Sequence, residues 1–438
     1  MTAPQKFVLE IELKNFKSAF LVGSHPSGNE SRACEENLDE LERLCETFGL
    51  VTLGKIACPV KRLDAATFLG TGKIEEIKQK ALDLQAEVIL FDDEISPHQQ
   101  RNLEQIFQKP VIDRTELIIE VFAQRAHTRE ARLQVELARV KYQFPRLKRL
   151  WTHLSRQSAG GGAYLKGEGE KQIELDRRML KRKVDRLQEE IEEVKAQRET
   201  QRSGRLRSGI PTFAIVGYTN AGKSTLLRAL TKADVLVEDK LFATLDTTTR
   251  KFTLPNRQEV LLIDTVGFIR KLPHMLVAAF RSTLEEATHT DILLHLIDAS
   301  SPTAEAQAIA THEVLKELGT EKHPIITVLN KIDACSNPLI LHKLRIQYPK
   351  TVTISATTGA GFSELMEMMI KELSSLRKRV RLRVPQSHYA LVSELMREGK
   401  VFSAEYEAND VLLDVEITQQ FEHKVQPFLF RNQTPGST

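Results

Sequence analysis

Apolar and polar positions alternate along the first 112 residues with two different periods. Short β-branched runs, which are typical of strands, occur at residues 7–13, 50–57 and 87–91. Between them, apolar residues recur every three to four positions over residues 37–48 and 74–84, which predicts helices. Alternation of strands and helices predicts an N-terminal α/β domain over residues 1–112.

The pattern becomes helical after Asp113. Apolar residues keep helical spacing to residue 144, and a second, highly charged helix is predicted over residues 171–200. A glycine-rich break at residues 160–169 separates the two. Two such helices pack most simply as an antiparallel pair, so a long helical hairpin with a Gly-rich loop is predicted for residues 113–204.

Strand–helix alternation resumes at residue 212, after a polar linker. It predicts a P-loop domain over residues 205–373, with a mostly parallel sheet and helices on both faces. The tail, residues 380–430, shows a strand at 380–384, a helix at 387–398 and a hairpin formed by 401–407 and 411–417. These elements predict a small C-terminal α+β domain.

Composition places the chain among folded globular proteins. Of its 438 residues, 41% are hydrophobic and 28% charged. The four cysteines form no CxxC pair, which favours reduced thiols. The N-terminus has no signal-peptide pattern, and the apolar runs are too short to cross a membrane. We therefore expect a cytoplasmic protein without a membrane span, and a monomer.

The segment from Gly217 to Ser224 matches GxxxxGK[ST], follows an apolar strand and opens a helix. Its glycines let backbone N–H groups surround phosphates. Lys223 is expected to neutralise the β- and γ-phosphates, and Ser224 to ligate Mg²⁺. The predicted phosphate contacts are Gly217, Tyr218, Thr219, Asn220, Ala221, Gly222, Lys223, Ser224 and Thr225.

The base is indicated by an NKxD motif that follows the apolar strand at residues 325–329. The carboxylate of Asp333 can accept hydrogen bonds from N1–H and the exocyclic amine of guanine, whereas adenine lacks that pair of donors. Backbone donors after residue 354 can close over guanine O6. The predicted base contacts are Asn330, Lys331, Ile332, Asp333, Ser355, Ala356 and Thr357.

Two further segments complete the predicted site. Asp264 ends a buried strand and can hold the Mg²⁺ shell, while Gly267 can offer its N–H to a γ-phosphate. A hydroxyl-rich loop between the first helix and the next strand should supply a second Mg²⁺ ligand, for which Thr244 is favoured. The catalytic candidates are thus Lys223, Thr244 and Gly267. The predicted Mg²⁺ ligands are Ser224 and Thr244. These two segments also add predicted GTP contacts at Phe242, Ala243, Thr244, Leu245, Asp246, Asp264, Thr265, Val266 and Gly267.

These motifs, in this order, resemble a translation-factor-class GTPase, and most of the chain is similar to the HflX family of ribosome-associated GTPases. The resemblance is carried by Phe-Ala-Thr-Leu-Asp at 242–246, Asp-Thr-Val-Gly-Phe-Ile at 264–269, the glycine-rich runs starting at Gly160 and Gly167, and Asp-Arg-Thr at 113–115. It implies that Thr244 is the Mg²⁺ threonine of the first switch. It also implies binding to the large ribosomal subunit and the splitting or rescue of stalled ribosomes.

One position departs from many GTPases. Phe268 follows the DxxG motif, where a glutamine often orients the attacking water. A slow unaided hydrolase is therefore expected, stimulated by the ribosome according to the resemblance. The basic residues Arg250, Lys251, Arg270 and Lys271 flank the two switches, either as exposed charges or as an arginine finger in cis.

Residues 125–156 carry nine Lys or Arg against two Glu, a net charge of +7 by subtraction, with interleaved aromatics. Basic residues meet phosphates and aromatics stack on bases, so the segment indicates an RNA surface. The candidate RNA contacts are Arg146, Lys148, Arg149, Arg156 and Lys166. Other interpretations are a solvated helix face, and a GTPase acting on another structured RNA or a protein client. A P-loop ATPase is disfavoured by Asp333, and a scaffold with a vestigial site by the complete set of motifs.

Overall fold

A computed structural model describes residues 13–26, 30–146, 166–207, 210–232, 240–273, 276, 286, 288–320, 323–398, 400–407, 409–418 and 421–430. The chain forms two compact units. The first comprises Met1–Val194, Glu238–Asp246 and Arg270–Ser282, and the second Lys195–Val237, Thr247–Ile269 and Thr283–Thr438. The four-part division predicted from the sequence stays a prediction. In the described part of the chain, no helix is long and apolar enough to cross a membrane.

The first unit contains a four-stranded parallel sheet in the order β2-β1-β3-β4. Its strands are β1 (Ser18–Pro26), β2 (Val51–Val60), β3 (Val88–Phe91) and β4 (Val111–Asp113). Its helices are α1 (Ser31–Phe48), α2 (Thr71–Asp83), α3 (Pro97–Phe107) and α4 (Arg114–Arg125). The predicted α/β class is confirmed, although most of the strand predicted at residues 7–13 lies outside the described residues.

Three elements of this unit, β1, β4 and α3, were not predicted from the sequence. Helix α3 buries Gln100 and Glu104 beside Leu103 and Phe107, so its buried face carries no continuous apolar stripe. Its start is nevertheless marked in the sequence by a capping box. The Ser96 hydroxyl accepts from the N–H of Gln99 at 3.2 Å, and the Gln99 side chain accepts from the N–H of Ser96 at 2.9 Å.

The helical region after α4 forms an antiparallel pair. It consists of α5 (Arg129–Gln143) and the long α6 (Lys166–Arg207). Their contact is apolar and is made by Leu137, Val140, Leu180, Leu187 and Ile191. Two ion pairs are consistent with the antiparallel direction of the two helices: Lys183 meets Glu136, and Arg129 lies 3.9 Å from Glu190. The continuous helical pattern predicted after Asp113 is divided into α4 and α5 at residues 126–128.

The second unit contains a six-stranded sheet in the order β10-β9-β8-β5-β7-β6. Only β6 runs antiparallel to its neighbour among the pairings of these strands. The strands are β5 (Thr212–Gly217), β6 (Thr248–Thr253), β7 (Glu259–Asp264), β8 (Ile292–Asp298), β9 (Ile325–Asn330) and β10 (Thr351–Thr353). The helices are α7 (Lys223–Thr231), α8 (Ala304–Glu317), α9 (Pro338–Gln347) and α10 (Phe362–Leu376). Because β5, β7 and β9 are parallel, the motifs that follow them gather at one edge of the sheet.

The tail of this unit is a small antiparallel sheet in the order β11-β13-β12. It is built from β11 (Arg377–Pro385), β12 (Lys400–Glu407) and β13 (Asp410–Thr418), with α11 (Tyr389–Glu398) and the short α12 (Glu422–Val425). Alternate residues of β11 and β13, among them Val380, Leu382 and Leu413, form its apolar core with α11. The predicted small C-terminal α+β domain is confirmed.

Two imidazole rings, one buried and one half-buried, meet between a central strand of the six-stranded sheet and a helix packed on it. His295, in β8, is fully buried and meets His312 of α8 edge to face at 4.8 Å between ring centroids. Tyr348 stacks on His312 at 5.1 Å. Within the described residues, neither ring nitrogen of His295 has a hydrogen-bond partner. Burial lowers the pKa of His295 to about 3, and His312 adds to the effect.

This depressed pKa predicts an acid-sensitive second unit. The unfolded chain takes up a proton at His295 below about pH 6.5, whereas the folded chain does so only near pH 3. The free energy of unfolding therefore decreases as pH falls from about 6.5 toward 3, by up to about 1.4 kcal/mol per pH unit. We expect His295→Leu to show a smaller decrease in thermal midpoint between pH 7 and pH 5 than the wild type. An equal decrease in both proteins would contradict this assignment.

Candidate nucleotide site

The loop between β5 and α7 has the backbone that phosphate binding requires. Gly217 has φ +151° and Gly222 has φ +93°, in the region that favours glycine. A side chain at either position has no room: a Cβ on Gly217 would lie 2.3 Å from the Leu296 carbonyl oxygen, and one on Gly222 would lie 2.3 Å from Asn330 Nδ2. Both glycines are therefore needed for loop shape and for close packing.

Lys223 begins α7 and folds back over this loop. Its Nζ donates to the carbonyl oxygens of Tyr218 at 2.8 Å and Gly217 at 3.3 Å, and its side chain is buried. Burial lowers the pKa of this ammonium to about 8, while Asp264 acts in the opposite direction. A desolvated cation at the N-terminus of a helix is suited to bind the phosphates of a nucleotide.

Ser224 and Asp264 meet beside this lysine. The Ser224 hydroxyl donates to Asp264 Oδ2 at 2.6 Å, and Asp264 is fully buried at the end of β7. The next residue, Thr265, holds the end of that strand against β5 by donating to the Ile215 carbonyl oxygen at 2.7 Å. The structure thus brings together one hydroxyl and one carboxylate that lie 40 residues apart in the sequence.

Gly267 and Phe268 lie directly against the phosphate loop. A Cβ on Gly267 would lie 2.8 Å from Thr219 Cα and 2.9 Å from Lys223 Nζ. The main chain of Phe268 is bonded to the loop on both sides, donating to Gly217 O at 3.0 Å and accepting from Thr219 N at 2.7 Å. Its side chain is buried. A buried phenyl ring cannot hold water, and the slow unaided hydrolysis expected from the sequence stays a prediction.

Asn330 connects three parts of the site. Its Nδ2 donates to the Ala221 carbonyl oxygen at 2.8 Å, and its Oδ1 accepts from the N–H of Ala356 at 3.0 Å. The end of β9 is thereby tied to the phosphate loop and to the segment after β10. In that segment Ser355 is buried, and its hydroxyl lies 3.0 Å from the Thr357 hydroxyl.

The remaining NKxD residues follow Asn330 in a short helical turn. Lys331 has φ +61°, and its Nζ donates to Asp298 Oδ2 at 2.7 Å. Asp333 lies in the 3₁₀ turn Ile332–Ala334 and is exposed. Asp298 was not predicted as a site residue. The sequence feature that could have identified Asp298 is its position at the end of an apolar strand, which places it at the same sheet edge as Asn330.

The predicted first switch, residues 242–246, belongs to the first unit. The Phe242 ring packs edge to face on Phe122 of α4 at 4.5 Å, and the Asp246 carboxylate bonds the start of α5. The roles of Phe242, Ala243, Thr244, Leu245 and Asp246 toward GTP stay predictions.

The four basic residues that flank the switches are all engaged within the protein. Lys271 Nζ binds Asp92 at 2.5 Å and Asp93 at 2.7 Å, and Arg270 lies 3.6 Å from Glu36, all in the first unit. In the second unit, Lys251 pairs with Glu259 at 2.7 Å and Arg250 donates to the carbonyl oxygen of Thr249 at 3.0 Å. Lys251 and Arg250 are exposed, in agreement with the first of the two interpretations.

Arg146 does not fit the predicted RNA contact. Its side chain is buried, and its guanidinium donates to Gln100 Oε1 at 3.0 Å, the Ile95 carbonyl oxygen at 2.8 Å and Asp113 Oδ2 at 3.3 Å. Burial raises the pKa of Asp113 to about 6, and Arg146 opposes that rise. Arg146 is therefore a structural residue. Lys148, Arg149 and Arg156 lie outside the described residues, and Lys166 begins α6.

The six-stranded sheet, the phosphate loop, the DxxG glycine and the NKxD asparagine define this part of the chain as a P-loop GTPase. A family model described as "50S ribosome-binding GTPase" matches residues 212–331, and the models "GTP-binding GTPase N-terminal" and "GTP-binding GTPase Middle Region" match 35–123 and 125–205. A GTPase HflX of Chlamydia pneumoniae is 46% identical over 427 residues, which are 97% of this chain and 90% of that protein. The GTPase HflX of Escherichia coli is 44% identical over 352 residues, 80% of this chain and 82% of that protein. The chain belongs to the HflX family of GTPases, and it binds GTP and hydrolyses it to GDP and phosphate.

Among solved structures, the chain is similar to a GTP-binding protein of the archaeon Sulfolobus solfataricus in complex with GDP. That similarity has a TM-score of 0.43 and 25% identity, and it covers 82% of this chain and 99% of that one.

Proposed function

We propose that this GTPase requires Mg²⁺, acts on the large ribosomal subunit and splits or rescues stalled ribosomes, and that the subunit stimulates hydrolysis. The need for a stimulating partner is supported by the position and burial of Phe268. Its buried ring occupies the sequence position of a water-orienting glutamine, and its main chain is fixed to the phosphate loop. A partner must therefore complete the arrangement that activates water.

The residues present fit a magnesium ion. Mg²⁺ prefers hard oxygen ligands, and the Ser224 hydroxyl and the buried Asp264 carboxylate lie 2.6 Å apart next to Lys223. Ser224 and, by the family resemblance, Thr244 would hold the ion directly, while Asp264 would hold its water shell. Bound there, Mg²⁺ would neutralise charge that develops on the phosphates.

The identity of the partner is supported by two observations. The model that matches residues 212–331 describes GTPases that bind the 50S ribosomal subunit. The basic segment, residues 125–156, has a net charge of +7 and continues past Arg146 with Lys148, Arg149 and Arg156. Such a segment suits ribosomal RNA, because binding to phosphates releases counterions.

The proposal is tested by GTP hydrolysis with and without purified large subunits, and by cosedimentation with a non-hydrolysable GTP analogue or GDP. We expect slow turnover by the free protein, acceleration by the subunit, and stronger cosedimentation with the analogue. Equal rates with and without subunits would contradict the stimulated switch. Stimulation by another RNA or by a protein client instead would favour the alternative partner.

The basic segment gives a second prediction, in which Arg146 is left intact because its removal would strand the buried Asp113. Replacing Lys148, Arg149 and Arg156 with Gln should weaken subunit binding. The salt slope of binding should fall by about one unit for each side chain that no longer meets a phosphate, roughly three at most. Turnover by the free protein should be unchanged. Binding is measured across a salt series.

A matched control replaces three exposed lysines of the second unit, Lys316, Lys343 and Lys371, with Gln. This control removes the same charge but should retain the salt slope. An equal weakening of binding in both triple variants would assign the effect to net charge rather than to the basic segment.

A further inference from the structure

The loop that carries the proposed Mg²⁺ ligand Thr244 contacts three helices of the first unit. The N–H of Leu241 donates to the Thr47 hydroxyl of α1 at 3.2 Å, and the Phe242 ring packs on Phe122 of α4. Phe242 is buried and has φ +53°, a conformation uncommon for a bulky residue. Such a conformation persists where the surrounding packing fixes it, and here the buried ring lies against Phe122.

Asp246 makes three hydrogen bonds to the start of α5. Its Oδ2 accepts from the main-chain N–H groups of His127 and Thr128, both at 3.1 Å, and its Oδ1 accepts from the Thr128 hydroxyl at 2.5 Å. Thr128 is itself the N-cap of α5, and its hydroxyl accepts from the N–H of Ala131 at 3.2 Å. A carboxylate at this position stabilises a helix by satisfying N–H groups and by interacting with the helix dipole.

The other end of α5 is fixed independently. The 3₁₀ turn Phe144–Arg146 follows the helix, and the buried Arg146 guanidinium is held by Gln100, Ile95 and Asp113. The remainder of the basic segment begins at the next residue. Helix α5, about 22 Å long at 1.5 Å per residue, therefore extends from Asp246 to the origin of the segment proposed to bind RNA.

We propose that Asp246 is a positioning residue that couples the nucleotide site to the basic segment through α5. This inference rests on the proposed function, because it takes Thr244 as the Mg²⁺ ligand of bound GTP. Thr244 and Asp246 are two residues apart, at most about 7 Å along the chain, so ordering of one restrains the other. GTP orders such loops and hydrolysis releases them. With GTP, Asp246 caps α5; with GDP, the cap is released and the helix start loosens.

Hydrogen exchange at short labelling times, on the full chain, tests this coupling. Peptides covering residues 124–133 should exchange several-fold more slowly with a non-hydrolysable GTP analogue than with GDP. Asp246→Ala should remove that difference, Thr128→Val should reduce it, and Thr128→Ser, which keeps the hydroxyl, should preserve it. Equal protection with both nucleotides in the wild type would show a permanent cap and overturn the proposal.

Cosedimentation with large subunits supplies a readout that a merely structural cap would not change. Asp246→Ala should bring binding with the analogue down to the level seen with GDP, whereas the basic-segment variant should weaken both. If Asp246→Ala still distinguishes the two nucleotides, the coupling is wrong while the proposed function stands. If the wild type shows no subunit stimulation but retains nucleotide-dependent exchange at α5, the proposed function fails and the coupling stands.

Discussion

Replacing Lys223 with alanine should lower kcat/KM for GTP by about 100-fold to 1,000-fold, a reduction typical of removing one preorganised group that stabilises transition-state charge. The ammonium is desolvated, lies over the phosphate loop and is 2.8 Å from the Tyr218 carbonyl oxygen. Alanine supplies no charge there, and water replaces a fixed cation poorly. GTP turnover is measured under saturating Mg²⁺, with circular dichroism to verify folding.

Lys232 offers a matched control at the opposite end of the same helix. It is exposed and follows α7 as its C-cap. Lys232→Ala removes an equal charge and should keep wild-type turnover. Ser224→Ala, which removes the hydroxyl bonded to Asp264, should instead abolish the Mg²⁺-dependent part of the activity. Unchanged turnover in a folded Lys223→Ala protein would place the active site elsewhere.

The nucleotide site could be predicted because its information is local. Each motif fixes residue types within a few positions of a strand end, as in Gly217 to Ser224 after β5 and Asn330 to Asp333 after β9. Parallel strands then bring those ends to one edge of the sheet. Asp298 was missed because a single aspartate after an apolar strand has no motif around it, although it lies at the same edge.

Arg146 was misassigned for the opposite reason. A basic residue in a basic segment is expected to be exposed, because burying an unpaired charge is costly. Its partners Gln100 and Asp113 lie 46 and 33 residues earlier, and no local pattern links them to it. The ion pair of Lys271 with Asp92, 179 residues away, was not predicted either, although the lysine itself is exposed. Long-range ion pairs depend on tertiary packing, which periodicity and composition do not contain.

The contacts of Asp246 show how a family motif can combine two roles. The run at residues 242–246 was assigned to the nucleotide as a whole, whereas its first and last side chains bind α4 and α5 of the first unit. The roles of all five residues toward GTP, including Thr244 as a Mg²⁺ ligand, stay predictions. The contacts of Phe242 and Asp246 with the two helices are tertiary contacts that the motif alone does not predict.

Base specificity gives the second large effect. Asp333→Asn should weaken GTP binding by roughly 100-fold or more and favour xanthosine triphosphate, because the carboxylate that accepts from guanine N1–H and its amine becomes partly a donor. Xanthine has a carbonyl oxygen where guanine has that amine, so the new amide N–H finds an acceptor. Asp333 is exposed and lies in a short turn, so the substitution should not affect folding.

Competition between GTP and xanthosine triphosphate for one labelled nucleotide measures this change. The control is Glu313→Gln, an acid-to-amide substitution at an exposed position of α8 in the same unit, which should keep the wild-type preference. Lys331 and Asp298, paired at 2.7 Å, stay in place in both variants, so the loop around the base is retained. If Asp333→Asn binds GTP as tightly as the wild type, Asp333 does not read the base, and the NKxD assignment is wrong.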